Sequence, residues 1–275
     1  MLDVHNLAII GENVSLGHDV YVGPYAIVED NVKIGRETII SSHAIVRCGT
    51  TIGERCFIDS FAVIGGLPQH ETFDATIPSR VIVGNDTIIR EHALIHRATS
   101  EIGFTKVGNS CILQSGSLVD HDCEVGDHST LVNGSMLGGE VKLGQKCFIG
   151  GGAAIHQYVV VGDYVSLAGS SATALDLPPY TIAAYASTVI GLNLIRLQRE
   201  KMDNKNIVAL KECFHEFYKK KGNFNFRERA KAMLKSGYGT TYETSNFLNF
   251  FLRKSRRGFA PKRHKIVASA SYGTA

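Results

Sequence analysis

The sequence is dominated by a large aliphatic residue that recurs every six positions. The first series has ten such residues, here called anchors, without a slip: Ile10, Leu16, Val22, Val28, Ile34, Ile40, Val46, Ile52, Ile58 and Ile64. The spacing resumes at Val83, Ile89 and Ile95, and again runs in steps of six from Val107 to Leu167. A period of six fits neither an α-helix nor a simple hairpin sheet. A unit this short cannot bury its own apolar face, so successive units must stack into a solenoid.

The residues around the anchors indicate which solenoid forms. A small or β-branched residue usually stands two positions before the anchor, and glycine often follows it, as at Gly11, Gly17, Gly126 and Gly144. This pattern suits a short flat strand followed by a sharp corner, because glycine brings no Cβ into the corner. Three such units close one coil, so equivalent residues recur every eighteen positions. We predict a mainly β protein: a left-handed parallel β-helix of hexapeptide repeats with a C-terminal α-helical domain.

Two segments interrupt the repeat. Residues 1–183 are predicted to form the β-helix, and the six-residue step is lost within 66–80 and 97–106. We expect both segments to be loops that leave the solenoid. Loops held by a rigid scaffold often carry function, and histidines concentrate on the coils around these two.

The C-terminal part has helical patterns after Pro178-Pro179, and residues 184–257 are predicted as an α-helical domain that covers one end of the solenoid. Three helices are predicted: one from an N-cap at Asp203 to Gly222, one from an N-cap at Asn225 to Lys235, and one from Thr241 to Lys254. Residues 258–275 are predicted as a basic, disordered tail. The basic charges near this end suit an acidic protein partner, or form a solvated run.

Composition narrows the class of protein. No apolar run approaches the ~20 residues of a membrane span, and Asp3, His5 and Asn6 interrupt any signal peptide, so we expect a cytoplasmic protein without stable membrane insertion. We expect no nucleic-acid partner. Four cysteines occupy the small position of the repeat and none forms a CxxC pair, which predicts packed thiols and no metal site: Cys56, Cys111, Cys123 and Cys147.

The eighteen-residue period places His121, Gly139 and Gln157 above one another on consecutive coils. His121 can take a proton from a nucleophile, the backbone N–H of Gly139 can face an oxyanion, and Asp122 can orient the imidazole. The alternative for a histidine in a repeat is a packing or surface residue, and it is the better interpretation for most of the eleven histidines. His96 and His156 directly follow anchors, so their side chains are expected at corners, within reach of a groove.

Several short motifs resemble a known family. They are VDHDC at 119–123, IHQY at 155–158, IHR at 95–97, TKVG at 105–108, LPPY at 177–180 and RRG at 256–258. These segments occur in the order found in UDP-N-acetylglucosamine O-acyltransferases, the cytoplasmic enzymes that open lipid A synthesis. The resemblance covers roughly residues 1–257.

The resemblance implies a reaction and roles for residues. The family moves a 3-hydroxyacyl chain from acyl carrier protein to the 3-hydroxyl of UDP-N-acetylglucosamine, needs no cofactor, and belongs to a class of proteins that are usually homotrimers. His121 matches the general base, Asp122 its supporting carboxylate and Gly139 the oxyanion glycine. His96, His156 and Gln157 match substrate-pocket residues. Asn193 and Arg199 match residues near the nucleotide, and Gly169 matches a residue that limits acyl-chain length.

The chain departs from the family pattern at several positions. The first loop has Gln69-His70-Glu71-Thr72 in place of Gln-Asp-Leu-Lys. Leu118 and Glu140 each replace a histidine, and Glu200 replaces a basic residue. We expect Gln69, His70 and Glu140 to contact the substrate. One hypothesis is that His70 and Glu140 recognise a modified sugar such as a 3-amino analogue.

Three functions are consistent with these residues. The first is the O-acyltransferase, and the second is an N-acyltransferase that acts on a UDP-3-amino-sugar. The third is a non-catalytic hexapeptide protein that binds acyl carrier protein or a nucleotide sugar. A zinc enzyme of the γ-carbonic anhydrase class ranks below these, since it needs three histidines on the metal and His96 and His121 have no third at matching spacing.

Overall fold

The computed structural model describes residues 3–219 and 225–262. Eleven short strands precede the first loop: β1 (Asp3–Val4), β2 (Ile9–Ile10), β3 (Ser15–Leu16), β4 (Tyr21–Val22), β5 (Ile27–Val28), β6 (Lys33–Ile34), β7 (Ile39–Ile40), β8 (Ile45–Val46), β9 (Thr50–Ile52), β10 (Phe57–Ile58) and β11 (Val63–Gly66).

Fifteen further strands complete the coils. They are β12 (Arg80–Val83), β13 (Ile88–Ile89), β14 (Leu94–His96), β15 (Phe104–Val107), β16 (Ile112–Leu113), β17 (Leu118–Val119), β18 (Glu124–Val125), β19 (Thr130–Leu131), β20 (Met136–Leu137), β21 (Lys142–Leu143), β22 (Phe148–Ile149), β23 (Ala154–Ile155), β24 (Val160–Val161), β25 (Ser166–Leu167) and β26 (Ala172–Thr173).

The strands form three parallel sheets, because every third strand pairs with the next of its kind. Face A starts with β1, β4 and β7, face B with β2, β5 and β8, and face C with β3, β6 and β9. Partners lie eighteen residues apart where the repeat is regular, as for Tyr21 and Ile39. The separation is larger across the two loops, as for Phe57 with Ile88 and Ile88 with Ile112. The predicted fold class is confirmed.

The anchors fill the interior of the prism, and nearly all of them from Val22 to Leu167 are buried. The four cysteines of the repeat are also buried and free, as predicted. Each thiol donates to the carbonyl of a corner glycine on the following coil, as Cys123 Sγ does to Gly138 O at 3.2 Å. Burial is the main cause that raises the pKa of the Cys111 thiol to about 11, so these groups stay protonated.

Each coil turns at three corners, named here by the faces they join. Corner BC includes residues 120–123, 138–141 and 156–159. Corner AB includes residues 168–171, and corner CA includes residues 162–165. The tight turn needs a left-handed residue, and 22 non-glycine residues of the described chain have positive φ, among them Asp122, Glu140 and Tyr158 at corner BC. Such a residue carries a local backbone cost, which the stacked coils outweigh.

The last coil continues into a hairpin rather than a helix. Strand β27 (Thr181–Ala184) pairs antiparallel with β28 (Thr188–Leu192), which extends face A. Four helices follow in the described chain: α1 (Leu194–Arg199), α2 (Asn204–Phe217), α3 (Phe226–Lys235) and α4 (Tyr242–Phe250). The predicted start of the helical domain at 184 was too early, because the apolar residues of 188–192 complete a strand pair.

The N-caps predicted at Asp203 and Asn225 are confirmed, and the third predicted helix also begins with a cap. Asp203 accepts a hydrogen bond from Lys205 N, Asn225 from Glu228 N, and Thr241 forms a capping box with Thr244. Helix α2 ends at Phe217, whereas the predicted end at Gly222 lies outside the described residues. Helix α4 ends at Phe250, earlier than predicted, because Phe251 turns into a cluster of rings with Phe217, Phe226 and Phe259.

The segment 253–262, here called the C-terminal strap, runs back along the β-helix. Asp176 N donates to Gly258 O at 2.8 Å, Ala260 N donates to Asp176 O at 2.9 Å, and Val189 N donates to Pro261 O at 2.9 Å. Phe259 is half-buried and Ala260 is fully buried. The structure therefore differs from the predicted tail over 258–262, since these residues pair with the last coil; the rest of that tail lies outside the described residues.

Candidate active site

Corner BC carries the predicted stack of His121, Gly139 and Gln157. Glu140 N donates to His121 O at 2.9 Å, and Tyr158 N donates to Gly139 O at 3.0 Å, so coil-to-coil hydrogen bonds fix the three levels. The His121 ring lies directly over Gly139. A Cβ on Gly139 would stand 2.5 Å from both Cε1 and Nε2 of that ring. Glycine is therefore required here for the ring to occupy its position.

His121 is held by the carboxylate that follows it. Its Nδ1 lies 3.0 Å from Asp122 Oδ2, and the same oxygen accepts hydrogen bonds from Thr99 N at 3.1 Å and Thr99 Oγ1 at 2.8 Å. Asp122 N donates to Thr105 Oγ1 at 2.8 Å. Thr99 of the second loop thus fixes the carboxylate, and Thr105 of β15 fixes the backbone of Asp122. The carboxylate in turn fixes the imidazole, and Nε2 is left to act toward a substrate.

The electrostatics of this pair favour a basic imidazole. The hydrogen bond to Asp122 raises the pKa of His121 above its ordinary value, outweighing the opposite effect of burial, and the charges of Asp120, Asp122 and Glu140 add to it. Burial acts to raise the pKa of Asp122, but hydrogen bonds from His121 and Thr99 outweigh it, so this pKa is lowered. The carboxylate therefore stays ionised and supports a proton on His121.

Gly139 supplies a candidate oxyanion donor. Among the described residues, no group accepts a hydrogen bond from Gly139 N–H, although the amides on either side, of Gly138 and Glu140, bond to neighbouring coils. A free backbone N–H beside an imidazole can stabilise negative charge that develops on a carbonyl oxygen.

His96, on the preceding coil, supports His121 through Asp120. His96 is 6% exposed, and its Nδ1 lies 2.9 Å from Asp120 Oδ1, which also accepts a hydrogen bond from His121 N at 2.8 Å. His96 thus lies beneath the site and not in an open groove as predicted. Asp120 was not predicted as a site residue, although its place in VDHDC, one residue before His121, was a usable signal.

The first loop folds over the same corner. The ring of His70 meets the ring of His121 edge-on, with centroids 5.8 Å apart, and Gln69 and His70 are both exposed. Arg97 holds the loop in place, since its Nη2 donates to Ala75 O at 2.6 Å and its guanidinium lies over the Phe73 ring. The structure therefore brings His70 to the site.

The next coil presents His156 and Gln157, both exposed, next to the strap. Arg257 Nη2 lies 2.6 Å from His156 Nδ1, and Arg257 Nε donates to Gln157 O at 2.8 Å. Glu140, which follows Gly139, forms an ion pair of 3.3 Å with Arg256. Sequence reasoning assigned no site role to either arginine, because about a hundred residues separate them from their partners.

Three predicted residues lie elsewhere on the chain. Asn193 is buried and its Nδ2 donates to Tyr164 O at 2.9 Å, on corner CA. Arg199 is exposed on α1, and Gly169 lies on corner AB, where a Cβ would come within 3.2 Å of Gly151 O. A single chain therefore does not bring these residues to His121.

Comparison with known proteins decides the family. Residues 13–48 and 31–66 match the bacterial transferase hexapeptide family, and residues 176–260 match the second domain of UDP N-acetylglucosamine O-acyltransferase. The chain is 50% identical to the acyl-(acyl-carrier-protein)–UDP-N-acetylglucosamine O-acyltransferase of Aquifex aeolicus (strain VF5), over 96% of this chain and 100% of that protein. The chain belongs to this family of O-acyltransferases.

Other members of the O-acyltransferase family agree. A protein of the same name from Sulfurihydrogenibium sp. (strain YO3AOP1) is 48% identical over 96% of this chain and 97% of its own length. The solved UDP-N-acetylglucosamine acyltransferase from Campylobacter jejuni superposes with a TM-score of 0.87 at 31% identity, over 95% of this chain and 100% of that one. None of the helices in residues 3–219 and 225–262 has the length and hydropathy that a membrane span requires.

Proposed function

We propose that this acyltransferase moves a 3-hydroxyacyl chain from acyl carrier protein to the 3-hydroxyl of UDP-N-acetylglucosamine, the opening step of lipid A synthesis. The observation that carries the proposal is the imidazole of His121, bonded at Nδ1 to Asp122 and seated over Gly139, in a chain of this family. The relatives' names give the reaction, and the geometry supplies a base and an oxyanion donor for it.

The reaction follows from the positions of these groups. His121 Nε2 takes the proton of the sugar hydroxyl as its oxygen attacks the thioester carbon. The carbonyl oxygen becomes an oxyanion and accepts a hydrogen bond from Gly139 N–H. When the carbon–sulfur bond breaks, the imidazolium returns its proton to the departing thiolate. Asp122 holds the ring and stabilises its positive charge through one catalytic cycle, and no cofactor is needed.

The other two functions are less well supported. The curated relatives are named as O-acyltransferases, so an N-acyltransferase on a 3-amino-sugar is not favoured. A protein that only binds its ligands has no need of the His121–Asp122 pair and the bare Gly139 beneath it.

We expect the acceptor sugar to be recognised by two residues that depart from the family pattern. They are His70, which lies beside His121, and Glu140, which follows Gly139. We infer that both side chains meet the sugar, while Glu140 is also held by Arg256. We expect His70→Ala and Glu140→Ala to change the ratio of activities with UDP-N-acetylglucosamine and its 3-amino analogue. An unchanged ratio in both variants removes these two residues from sugar recognition.

A homotrimer is proposed from the character of the three faces. The outward residues of face B are all apolar: Ile9, Ile27, Ile45, Val63, Leu94, Leu118, Met136, Ala154 and Ala172. Face A presents Tyr21, Ile39, Phe57, Ile88, Ile112 and Phe148, whereas face C presents charged residues such as Lys33, Lys106, Glu124 and Lys142. Two apolar faces and one charged face suit a ring in which face B of one copy packs on face A of the next.

That packing also completes the site. Face B ends at corner BC, with His121, and face A begins at corner CA, close to Asn193 and α1 with Arg199. Packing face B on the neighbour's face A therefore brings the neighbour's Asn193 and Arg199 toward His121, which a single chain cannot do. The six free thiols suit a reducing compartment, and we propose a cytoplasmic location on that ground.

The function is tested by mass spectrometry of acyl transfer. The purified protein receives 3-hydroxyacyl carrier proteins of several chain lengths, with UDP-N-acetylglucosamine or the 3-amino analogue as acceptor. We expect acylated UDP-N-acetylglucosamine, and a rate lower by about 100-fold or more in His121→Ala. His18→Ala, an exposed histidine on corner CA near the other end, is the matched control. No product with either acceptor refutes the proposal.

The shared site is tested by mixing inactive chains. His121→Ala and Arg199→Ala are each made alone and then co-expressed, and the mass of the assembly is measured by sedimentation. In a trimer with shared sites, co-expression restores activity, because some interfaces combine an intact His121 with an intact Arg199. A monomer by sedimentation, or no restored activity, contradicts the proposed assembly.

A further inference from the structure

The strap brings a surplus of positive charge to corner BC. Residues 253–262 contain five cations and no acid: Arg253, Lys254, Arg256, Arg257 and Lys262. The strap crosses the corner at the level of His156 and Gln157, one coil beyond Gly139 and so about 5 Å along the helix axis. The charge is thus concentrated beside the groups assigned to the reaction.

Asp176 fixes the strap in this place. The residue is 1% exposed, and its backbone N–H and carbonyl bond to the strap at Gly258 and Ala260. Its Oδ2 lies 2.7 Å from Arg253 Nη2 and also accepts from Ser255 Oγ, while Oδ1 accepts from Val160 N at 2.7 Å. The backbone N–H, the carbonyl and Oδ2 of Asp176 therefore tie the strap to the last coil, while Oδ1 fixes the carboxylate on β24, and Asp176 is a positioning residue for the arginines that follow.

Arg257 differs from the other two arginines of the strap, Arg253 and Arg256, which each pair with a carboxylate. In the described part of the chain, no carboxylate lies within ion-pair distance of its guanidinium; its partners are His156 Nδ1, Gln157 O and the face of the Tyr158 ring. Because a guanidinium only donates, His156 Nδ1 must accept, which leaves Nε2 of a neutral imidazole as a donor. Arg257 and His156 together form a set of N–H donors with net positive charge.

Arg256 extends this donor set along the strap. It lies over the Tyr158 ring at 4.6 Å and pairs with Glu140 at 3.3 Å, with side chains 66% and 43% exposed, so solvent screens the pair. A groove of about 350 Å³ opens beside it, with four cations and one acid among its lining residues: Lys142, Arg253, Lys254, Arg256 and Glu140. The groove and the donor set are continuous and electropositive.

We propose that Arg257, with His156 and Arg256, binds a phosphate group of a substrate. Guanidinium groups bind phosphate oxygens in pairs through parallel N–H bonds, and an uncompensated arginine beside a donor histidine suits that geometry. Two substrates of the proposed function carry such a group: the diphosphate of the nucleotide sugar and the phosphodiester of the phosphopantetheine arm of acyl carrier protein. The inference rests on the proposed function and assigns the strap a part in substrate binding.

The test separates the two sources of phosphate. Arg257→Gln and Arg257→Lys are compared with wild type and with Lys231→Gln, an exposed lysine on α3 paired only with Glu228, as the control for loss of one charge. One arm varies UDP-N-acetylglucosamine at saturating donor. The other compares acyl thioesters of 4′-phosphopantetheine and of pantetheine, which lacks the phosphate.

The expected result is a loss of about 10- to 100-fold in kcat/KM for one phosphate-bearing substrate in Arg257→Gln, mostly through KM, with a smaller loss in Arg257→Lys. If Arg257 binds the diphosphate of the acceptor, KM for the UDP-sugar rises in Arg257→Gln with either thioester as the donor. If the donor phosphate is bound, only the phosphopantetheine thioester is affected. Kinetics equal to those of Lys231→Gln in both arms overturn the inference.

Two controls keep this test separate from other failures. If wild type shows no turnover, the proposed function fails, and the strap is tested by calorimetric titration of wild type and Arg257→Gln with UDP and with 4′-phosphopantetheine. Equal binding of both ligands by the two proteins overturns the inference. Asp176→Asn, with Tm measured, is expected to release the strap and so to reproduce the rise in KM. If Asp176→Asn does not fold, Arg257→Gln, at a half-buried position outside the core, decides the question.

Discussion

The position of the His121 ring over Gly139 predicts a large effect of a single methyl group. In Gly139→Ala, the new Cβ would stand 2.5 Å from Cε1 and Nε2 of the imidazole, and ordinary contact begins near 3.4 Å. Gly139 does not have positive φ, so alanine is allowed by the backbone itself. The imidazole must therefore move by about 1 Å or turn away from Asp122.

The size of the effect follows from that displacement. A misplacement of about 1 Å in a catalytic group costs on the order of 100-fold in rate, which corresponds to about 2.7 kcal/mol of transition-state stabilisation. The fold is affected little, because corner BC lies at the surface of the prism. We expect kcat/KM to fall by about 100-fold while Tm stays close to that of wild type.

The assay is steady-state acyl transfer with Gly191→Ala as the matched variant. Gly191 lies in β28, has no heavy atom within 4 Å of its ideal Cβ and does not have positive φ, so it controls for the change from glycine to alanine alone. If Gly139→Ala keeps the wild-type kcat/KM, then the position of the His121 ring over Gly139 does not matter to the reaction. The assignment of base and oxyanion donor to this pair would then be wrong.

Three further predictions concern ionisation, packing and thiol chemistry. His121 must be neutral to act as a base, and Asp122 raises the pKa of His121, so kcat/KM is expected to rise with pH through a pKa above the ordinary value of histidine. In Asp122→Asn this rise should move to lower pH, and kcat should fall by about 10- to 10⁴-fold. A pH–rate profile of both proteins measures these two effects. Ile89→Ala, at a fully buried anchor, should lower the free energy of unfolding by about 2 to 5 kcal/mol in denaturant titration, whereas a change below 1 kcal/mol would mean that the coil collapses around the gap. Iodoacetamide should modify Cys48 well before the five buried thiols, and rapid labelling of Cys123 in the native protein, read by peptide mass spectrometry, would contradict the burial that raises its pKa.

Much of the β-helix follows from the sequence because its repeat is local. Each anchor specifies one strand and one corner, and a fixed coil length converts sequence spacing into vertical alignment. This is why sequence spacing alone predicts the stack of His121, Gly139 and Gln157. The same rule places His70 only roughly, because the first loop breaks the repeat.

The contacts that the sequence did not predict are long-range. Arg257 meets His156 across about a hundred residues, and Asp176 holds a strap that begins 77 positions later, so no periodicity connects them. Helix α1 was missed because six residues with one buried side chain, Leu197, give a weak helical pattern. Asn193 and Arg199 show a further limit, since the contribution proposed for them depends on an interface between chains that spacing within one sequence does not encode.

The left-handed corners make the protein open to engineering. Seventeen of the 22 non-glycine residues with positive φ are neither asparagine nor aspartate, and each carries a conformational cost of about 1 kcal/mol or more that asparagine or aspartate bears more easily. At Glu37 and His128 the side chain is exposed, so asparagine can replace it without touching an anchor. Substitutions at such corners can therefore raise the thermal stability of the solenoid one corner at a time, without altering the chemistry at corner BC.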